Sequence, residues 1–439
     1  MASRRFVGMW CSSFLEDAGT ILERMRENGI NAVSPIVGGG SLEGVLFKPR
    51  RDYSSLRFRA VQARALGKQS IEGRDILGEF VRAAKERDMA VVPWLVCFNN
   101  EPFARSFPGA TTVDVFGGRG STFVCPNNPD MRNYLARLYA DMVENYEIQG
   151  IDMDYIRYPA GQGLTGGVGS YLPTLTFASY ECFCDYCKEA AEKKGLDWKS
   201  IRRDVAAVAE ESKQQTPETF RRTTASLRGI YDLVRFFIKY PSLIEWLRFR
   251  TETVTEVVKE IRDAVKDVNP KVEVHADLFY PTTAWIAGQD YAQLSAYLDA
   301  ARPMIYIGRM GYWTVPELRL RWKTLHGIIP EGEILEHKSR LLGIEAPDRF
   351  DLFEAQGISA EWDYYETLKA KAEVGENTKI YSGIGTSGNA PCATYAQPWH
   401  VEMAIKNCAK AGADGFWFFE YGATPPENMR AIGITLRNL

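Results

Sequence analysis

The chain has 439 residues, 45% hydrophobic and 25% charged, with a formal net charge of -3, which is ordinary globular composition with enough apolar material for one large domain. No basic cluster concentrates Lys and Arg as phosphate binding requires, so nucleic acid is not an expected partner, and no run of about 18 apolar residues suggests a membrane span. The N-terminal MASRRFVGMW enters a strand pattern without the apolar stretch of a signal peptide, so a cytoplasmic location is the expectation for the chain as written.

Strand-like and helix-like segments alternate from end to end, the pattern of parallel βα units. RFVGMWCSSF is the first strand, followed by the helical AGTILERMRENG. INAVSPIV is the second, then the helix RDILGEFVRAAKERD and the third strand MAVVPWLVCF. The helix MRNYLARLYADMVENY leads into the fourth strand, which opens GIDMD. The long helix SLIEWLRFRTETVTEVVKEIRDAVKDV precedes the fifth, KVEVHADLFY. RPMIYIG, TKIYSGIG and GFWFFEYG supply strands six to eight. Gly29 and Pro270 fall just past helix ends, where Gly suits a left-handed cap and Pro cannot continue the turn. Eight such units predict a (β/α)8 TIM barrel forming one domain over residues 1–439. Long insertions run from Ala160 to Tyr240 after strand four and from Met310 to Asn377 after strand six. An open doubly wound sheet is the alternative, but no Gly-rich phosphate turn follows the first strand.

In such barrels the chemistry lies at the carboxyl ends of the strands. Alternation puts Asp152 and Asp154 on one face of strand four and Ile151, Met153 and Tyr155 on the other. Carboxylates inside a barrel cost several kcal/mol unless paired, so the two acids point to function, with structural pairing to Arg157 as the bland alternative. On strand five, Glu273, His275, Asp277 and Phe279 share a face. Neighbouring strands lie about 4.8 Å apart, so Asp277 is expected near Asp154, with one of the two acids raised in pKa by the other's charge. That is the division of labour between a proton donor and a carboxylate nucleophile. Glu420 and Glu101 are further acids at the mouth, and Glu420 is the alternative partner for Asp154. Trp10, Trp94, Tyr306, Trp417 and Tyr421 could stack on sugar faces. Asn99, Arg157 and Arg309 could bond hydroxyls or an anionic substituent. Asp152, Tyr158 and His275 complete the expected binding set, His275 one pair deeper, where it would orient a carboxylate.

With four His in the chain and none paired at ligand spacing, a His-bound catalytic metal is not expected, and no GxSxG elbow or phosphate loop occurs. Cys182, Cys184 and Cys187 form C-x-C-x2-C within ECFCDYC, a possible structural zinc site. Its fourth ligand would come from Cys125, Cys392 or His400, and reduced thiols or a local disulfide are the alternatives. No cofactor is required for the reaction itself.

The segment GIDMDYIRYP, Gly150 to Pro159, resembles the GI(H)xDYxRYP signature on strand four of glycoside-hydrolase-like barrels related to glycosidase family 10. EWLRFRTETVTEVVKEIRDAVKDVNPKVEV resembles that group's tryptophan and arginine helix running into strand five, so the likeness spans Met131 to Tyr280. It implies a TIM-barrel carbohydrate-active protein with Asp154 at the functional position; Asp152 stands where the group often has His. Gly150, Asp152 and Asp154 also match three points of the DGxDxDxE signature of family 18 chitinases, but Ile156 occupies the place of the proton-donating Glu. The combined reading is a glycoside hydrolase acting on an oligo- or polysaccharide by a two-carboxylate mechanism with retention. The alternatives are a non-catalytic carbohydrate-binding barrel or a polysaccharide lyase using Tyr and Arg.

Overall fold

The computed structural model describes residues 5–439 apart from 67–68, 160–180, 214–215, 226–227, 307–317, 320–321, 324, 326, 346, 360 and 389–395. Eight parallel strands close into a barrel: β1 (Phe6–Cys11), β2 (Ala32–Gly40), β3 (Trp94–Asn100), β4 (Gly150–Asp154), β5 (Glu273–Leu278), β6 (Ala300–Pro303), β7 (Lys379–Gly385) and β8 (Gly415–Phe419). Each pairs with the next, β8 pairs with β1, and β2 with β3, which closes the ring. Closure leaves no edge among these strands, as the eightfold alternation predicts. The third strand has an early segment, Ala90–Val91, that pairs with β2 before Pro93 interrupts the ladder, since Pro has no N–H to give.

Helix starts follow the capping residues in the sequence. Asp17 accepts from the Thr20 amide at 3.0 Å ahead of helix Ala18–Glu27, and Asn128 accepts from the Met131 amide at 2.9 Å ahead of Pro129–Asn145, each satisfying an amide that the first turn leaves unpaired. The long helix Ser242–Val268 buries Trp246, Phe249, Val254, Val257, Val258, Ile261 and Val265 and lies against Pro129–Asn145. That packing backs β4 from outside the barrel and leaves its acids inside.

The segment after β4 carries helices Asp185–Lys193, Trp198–Lys213, Pro217–Ala225 and Ile230–Lys239. After β6 come Glu331–Leu342 and Phe350–Gln356, then Glu361–Glu373, which packs on β7 and on helix Pro398–Lys410 as an ordinary barrel helix does. The extra material after β6 therefore ends before Glu361. Phe220 from the first segment joins Ile305, Ile334, Leu335, Phe350 and Trp362 in a second apolar core, so the two segments share a hydrophobic contact. No described helix is long and apolar enough to cross a membrane.

Candidate active site

Three layers fill the barrel from floor to mouth. Gly8 admits the floor: a Cβ there would meet the Trp417 indole at 2.3 Å, so only glycine lets that ring lie across the interior. Over the Trp417 ring, 3.5 Å from its centroid, sits the fully buried guanidinium of Arg302, the third residue of β6. Arg302 donates to Asp152 Oδ2 at 2.5 Å, to Ser34 Oγ at 3.1 Å and to His275 Nδ1 at 2.6 Å. Arginine only donates, so Nδ1 accepts and the imidazole proton is assigned to Nε2, which donates to Glu273 at 2.9 Å. His275 is thus neutral. Burial, and next the Arg302 charge, push its pKa down to about 4.

Asp152 and Asp277 form the middle layer, both fully buried. Trp10 Nε1 donates to Oδ2 of each at 3.1 Å. Oδ1 of each is buried without a hydrogen-bond partner among the described residues. A buried carboxyl oxygen without a partner is costly as an anion, which disfavours charging both acids at once. Burial, followed by the charges of Asp152 and Asp154, raises the Asp277 carboxyl well above the ordinary range. Asp152 is raised mainly by burial, against which Arg302 favours its ionised form.

Asp154 forms the upper layer at the end of β4. Oδ2 accepts from Trp94 Nε1 at 3.0 Å, and Oδ1 from the Tyr155 amide at 2.6 Å and Arg157 at 3.1 Å. Three N–H donors on one carboxylate fix its plane. Arg157 is held in turn between the rings of Tyr155 and Phe279, 3.8 and 4.4 Å from their centroids. Tyr155 has φ of 50°, a left-handed backbone that is strained for a bulky residue and gathers at functional sites. Across the mouth, Glu420 accepts from the Ser12 amide at 3.2 Å and its hydroxyl at 2.9 Å. Tyr306 stacks on Phe419 at 4.7 Å and 7°, and Phe419 meets Trp10 and Trp94 edge-on.

The structure thus brings together Asp152, Asp154, Asp277, Trp10, Trp94, Arg157, Tyr306 and Glu420. Trp10 and Trp94 spend their indole N–H groups on the acids and are buried, so they hold carboxylates where sugar stacking was expected. Other expectations need correction. Trp417 belongs to the floor, under the acids; His275, expected one pair deeper than Asp277, bonds Arg302 and Glu273 there. Tyr158 is fully buried, with its hydroxyl 3.7 Å from Cys187 Sγ and 3.1 Å from Asn127 Nδ2, away from the mouth. Tyr421 opens a 3-10 turn and donates to Glu16 at 2.8 Å beside Arg24, toward helix Ala18–Glu27. Glu101 heads helix Glu101–Ser106 and faces Arg105 at 3.4 Å with 43% of its side chain exposed. Asn99 lies where β3 pairs with Phe123 of strand Arg119–Val124, and its neighbour Asn100 caps the following helix. Arg309 lies outside the described residues.

Arg302, Ser34 and Ser12 were missed by sequence reasoning. The signal for Arg302 was a charged residue inside the short apolar strand ARPMIYIG, which calls for a buried acid opposite.

Beside the barrel, Cys125, Cys182, Cys184 and Cys187 are all buried, their sulfurs within 4.8 Å of one another. Cys125 is thus the fourth member of the cluster. His400 instead accepts from the Gln397 amide at 3.0 Å, and Cys392 lies outside the described residues.

The sequence profile of a family described as glycosyl hydrolase-like 10 matches residues 53–302. No curated protein matches the chain. Among solved structures, the PgaB (BpsB) glycoside hydrolase domain from Bordetella bronchiseptica aligns over 99% of this chain and 98% of its own, at 12% identity and TM-score 0.56. The catalytic domain of a beta-amylase from Paenibacillus polymyxa aligns over 98% and 95%, at 14% identity and TM-score 0.55. A beta-galactosidase from Marinomonas ef1 aligns over 98% of this chain and 59% of its own, at 13% identity and TM-score 0.54. These likenesses concern the barrel fold.

Proposed function

The chain belongs to the glycosyl hydrolase-like 10 family, and on that premise we propose that it hydrolyses glycosidic bonds of an oligo- or polysaccharide with Asp154 as nucleophile and Asp277 as acid. The observation that carries this reading is the contrast between the two carboxyls: Asp277 is driven toward its protonated form by burial and by Asp152 and Asp154, while Asp154 faces three N–H donors. A carboxyl that burial drives toward its protonated form beside one fixed by N–H donors suits a donor and a nucleophile.

In the first step Asp277 passes its proton to the leaving oxygen as Asp154 Oδ attacks the anomeric carbon, giving a glycosyl ester. In the second, ionised Asp277 takes a proton from water as that water opens the ester, and both carboxyls return to their starting state. Asp152, fixed by Arg302, is the charge that keeps the Asp277 proton in place between turnovers. Arg157 steadies Asp154 through the change from anion to ester and back.

Asp154 and Asp277 stand on adjacent strands, and carboxyls about 5 to 5.5 Å apart leave room for direct attack, whereas about 6.5 to 9.5 Å admits a water. Retention at the anomeric carbon is therefore expected. Proton NMR of the first-formed product, read before mutarotation, tests it. An inverted product would replace Asp277 with Glu420, the remaining acid at the mouth, as the partner of Asp154.

A further inference from the structure

We propose that Cys125, Cys182, Cys184 and Cys187 bind one zinc ion in a closed four-thiolate site that clamps the end of strand Arg119–Val124 to the segment after β4. The first ground is convergence. Residues 125 and 182–187 are far apart in sequence, yet all four sulfurs lie within 4.8 Å of each other in a buried cluster. A tetrahedron of sulfurs about 2.3 Å from zinc has edges of about 3.8 Å, and the Cys125 and Cys187 sulfurs are 3.4 Å apart. That separation exceeds a disulfide bond of about 2.05 Å, and all four are free cysteines.

The second ground is the set of donors aimed at the sulfurs. The Val113 amide points at Cys182 Sγ from 3.4 Å, the Asn127 amide at Cys125 Sγ from 3.3 Å, and Asn127 Nδ2 at Cys187 Sγ from 3.4 Å. Donors converging from outside the cluster leave its centre for the sulfur lone pairs, the arrangement by which N–H groups support metal-bound thiolates. Charge agrees: zinc with four thiolates carries two negative charges, and the buried Arg250 guanidinium lies 4.7 Å over the Tyr158 ring, whose hydroxyl is 3.7 Å from Cys187 Sγ. Cys184 caps helix Asp185–Lys193 and Cys187 sits in its first turn, where the helix end favours anions.

Four protein ligands leave no open position, so the ion's role is structural. Binding displaces the four thiol protons to solvent, with no change of oxidation state. The clamp ends at Tyr158, next to the Arg157 that holds Asp154. This proposal is independent of the glycosidase reading.

The test is the metal content of the full chain purified without chelator, by mass spectrometry of zinc against chain concentration. One zinc per chain is expected, lost in Cys182→Ser and in Cys187→Ser and kept in Cys408→Ser, a buried thiol elsewhere. Should the cluster variants fail to fold, cobalt exchanged into the wild-type protein gives a second readout: intense visible d–d bands with sulfur-to-cobalt charge transfer. Wild-type chain that holds no metal after incubation with equimolar zinc, or whose intact mass reveals a disulfide among these four residues, overturns the proposal.

Discussion

Asp154→Asn is expected to lower turnover on a cleaved glycan by on the order of 10^4-fold while the protein still folds and still binds that glycan within a few-fold of wild type. The substitution is nearly isosteric, so the barrel and its aromatic mouth keep their shape. Its amide oxygen can still accept from Trp94 or from Arg157, but its NH2 group faces donors where the carboxylate accepted them, at a cost of about 1–3 kcal/mol. What disappears is the nucleophile. Turnover and affinity measured on the same labelled glycan separate the readings, because in a barrel that only binds sugar the substitution would do little and there would be no catalysis to lose.

Arg302→Met should be the most destabilising single change at the floor, by about 3–5 kcal/mol. It leaves the Asp152 carboxylate fully buried without its cation, strips His275 Nδ1 of its donor and removes the charge stacked on Trp417. Asp152→Asn/Arg302→Met should recover much of the loss, since no uncompensated charge remains and an apolar side chain of similar length fills the space. Urea unfolding of the two single variants and the double variant gives the coupling energy of the pair. A single-variant cost below about 1 kcal/mol, the range of exposed pairs, would show that this ion pair does not hold the floor together.

The sequence made the barrel legible because eight alternating segments carried it redundantly, and strand parity found the inward acids of GIDMD and VHADL. Parity names a face and not a depth. Trp417 does point inward, yet it lies in the floor, where its ring supports Arg302. Parity also ends with the strand. At Tyr155 the chain turns through φ of 50°, so alternation no longer governs Tyr158, which turns to the cysteine cluster. Nor does alternation govern Glu101 and Tyr421, as each begins a helical turn just past a strand end.

Partnerships were hidden where they join distant residues. Asp152 and Arg302 are 150 positions apart and Trp10 and Asp277 are 267 apart, and no local pattern links such pairs. The cysteines were half legible: C-x-C-x2-C announced three members, and only folding selected Cys125 from the remaining candidates.

The most direct test is the fate of solvent oxygen. A panel of glycans is incubated with the wild-type protein in heavy-oxygen water, and the products are weighed by mass spectrometry. Hydrolysis of the glycosidic bond predicts one heavy oxygen at the new anomeric carbon for every bond broken, read before the hemiacetal exchanges with solvent, and on the order of 10^4-fold less labelled product with Asp154→Asn. An unsaturated product without label, or intact glycans with wild-type protein that binds them, would contradict the account.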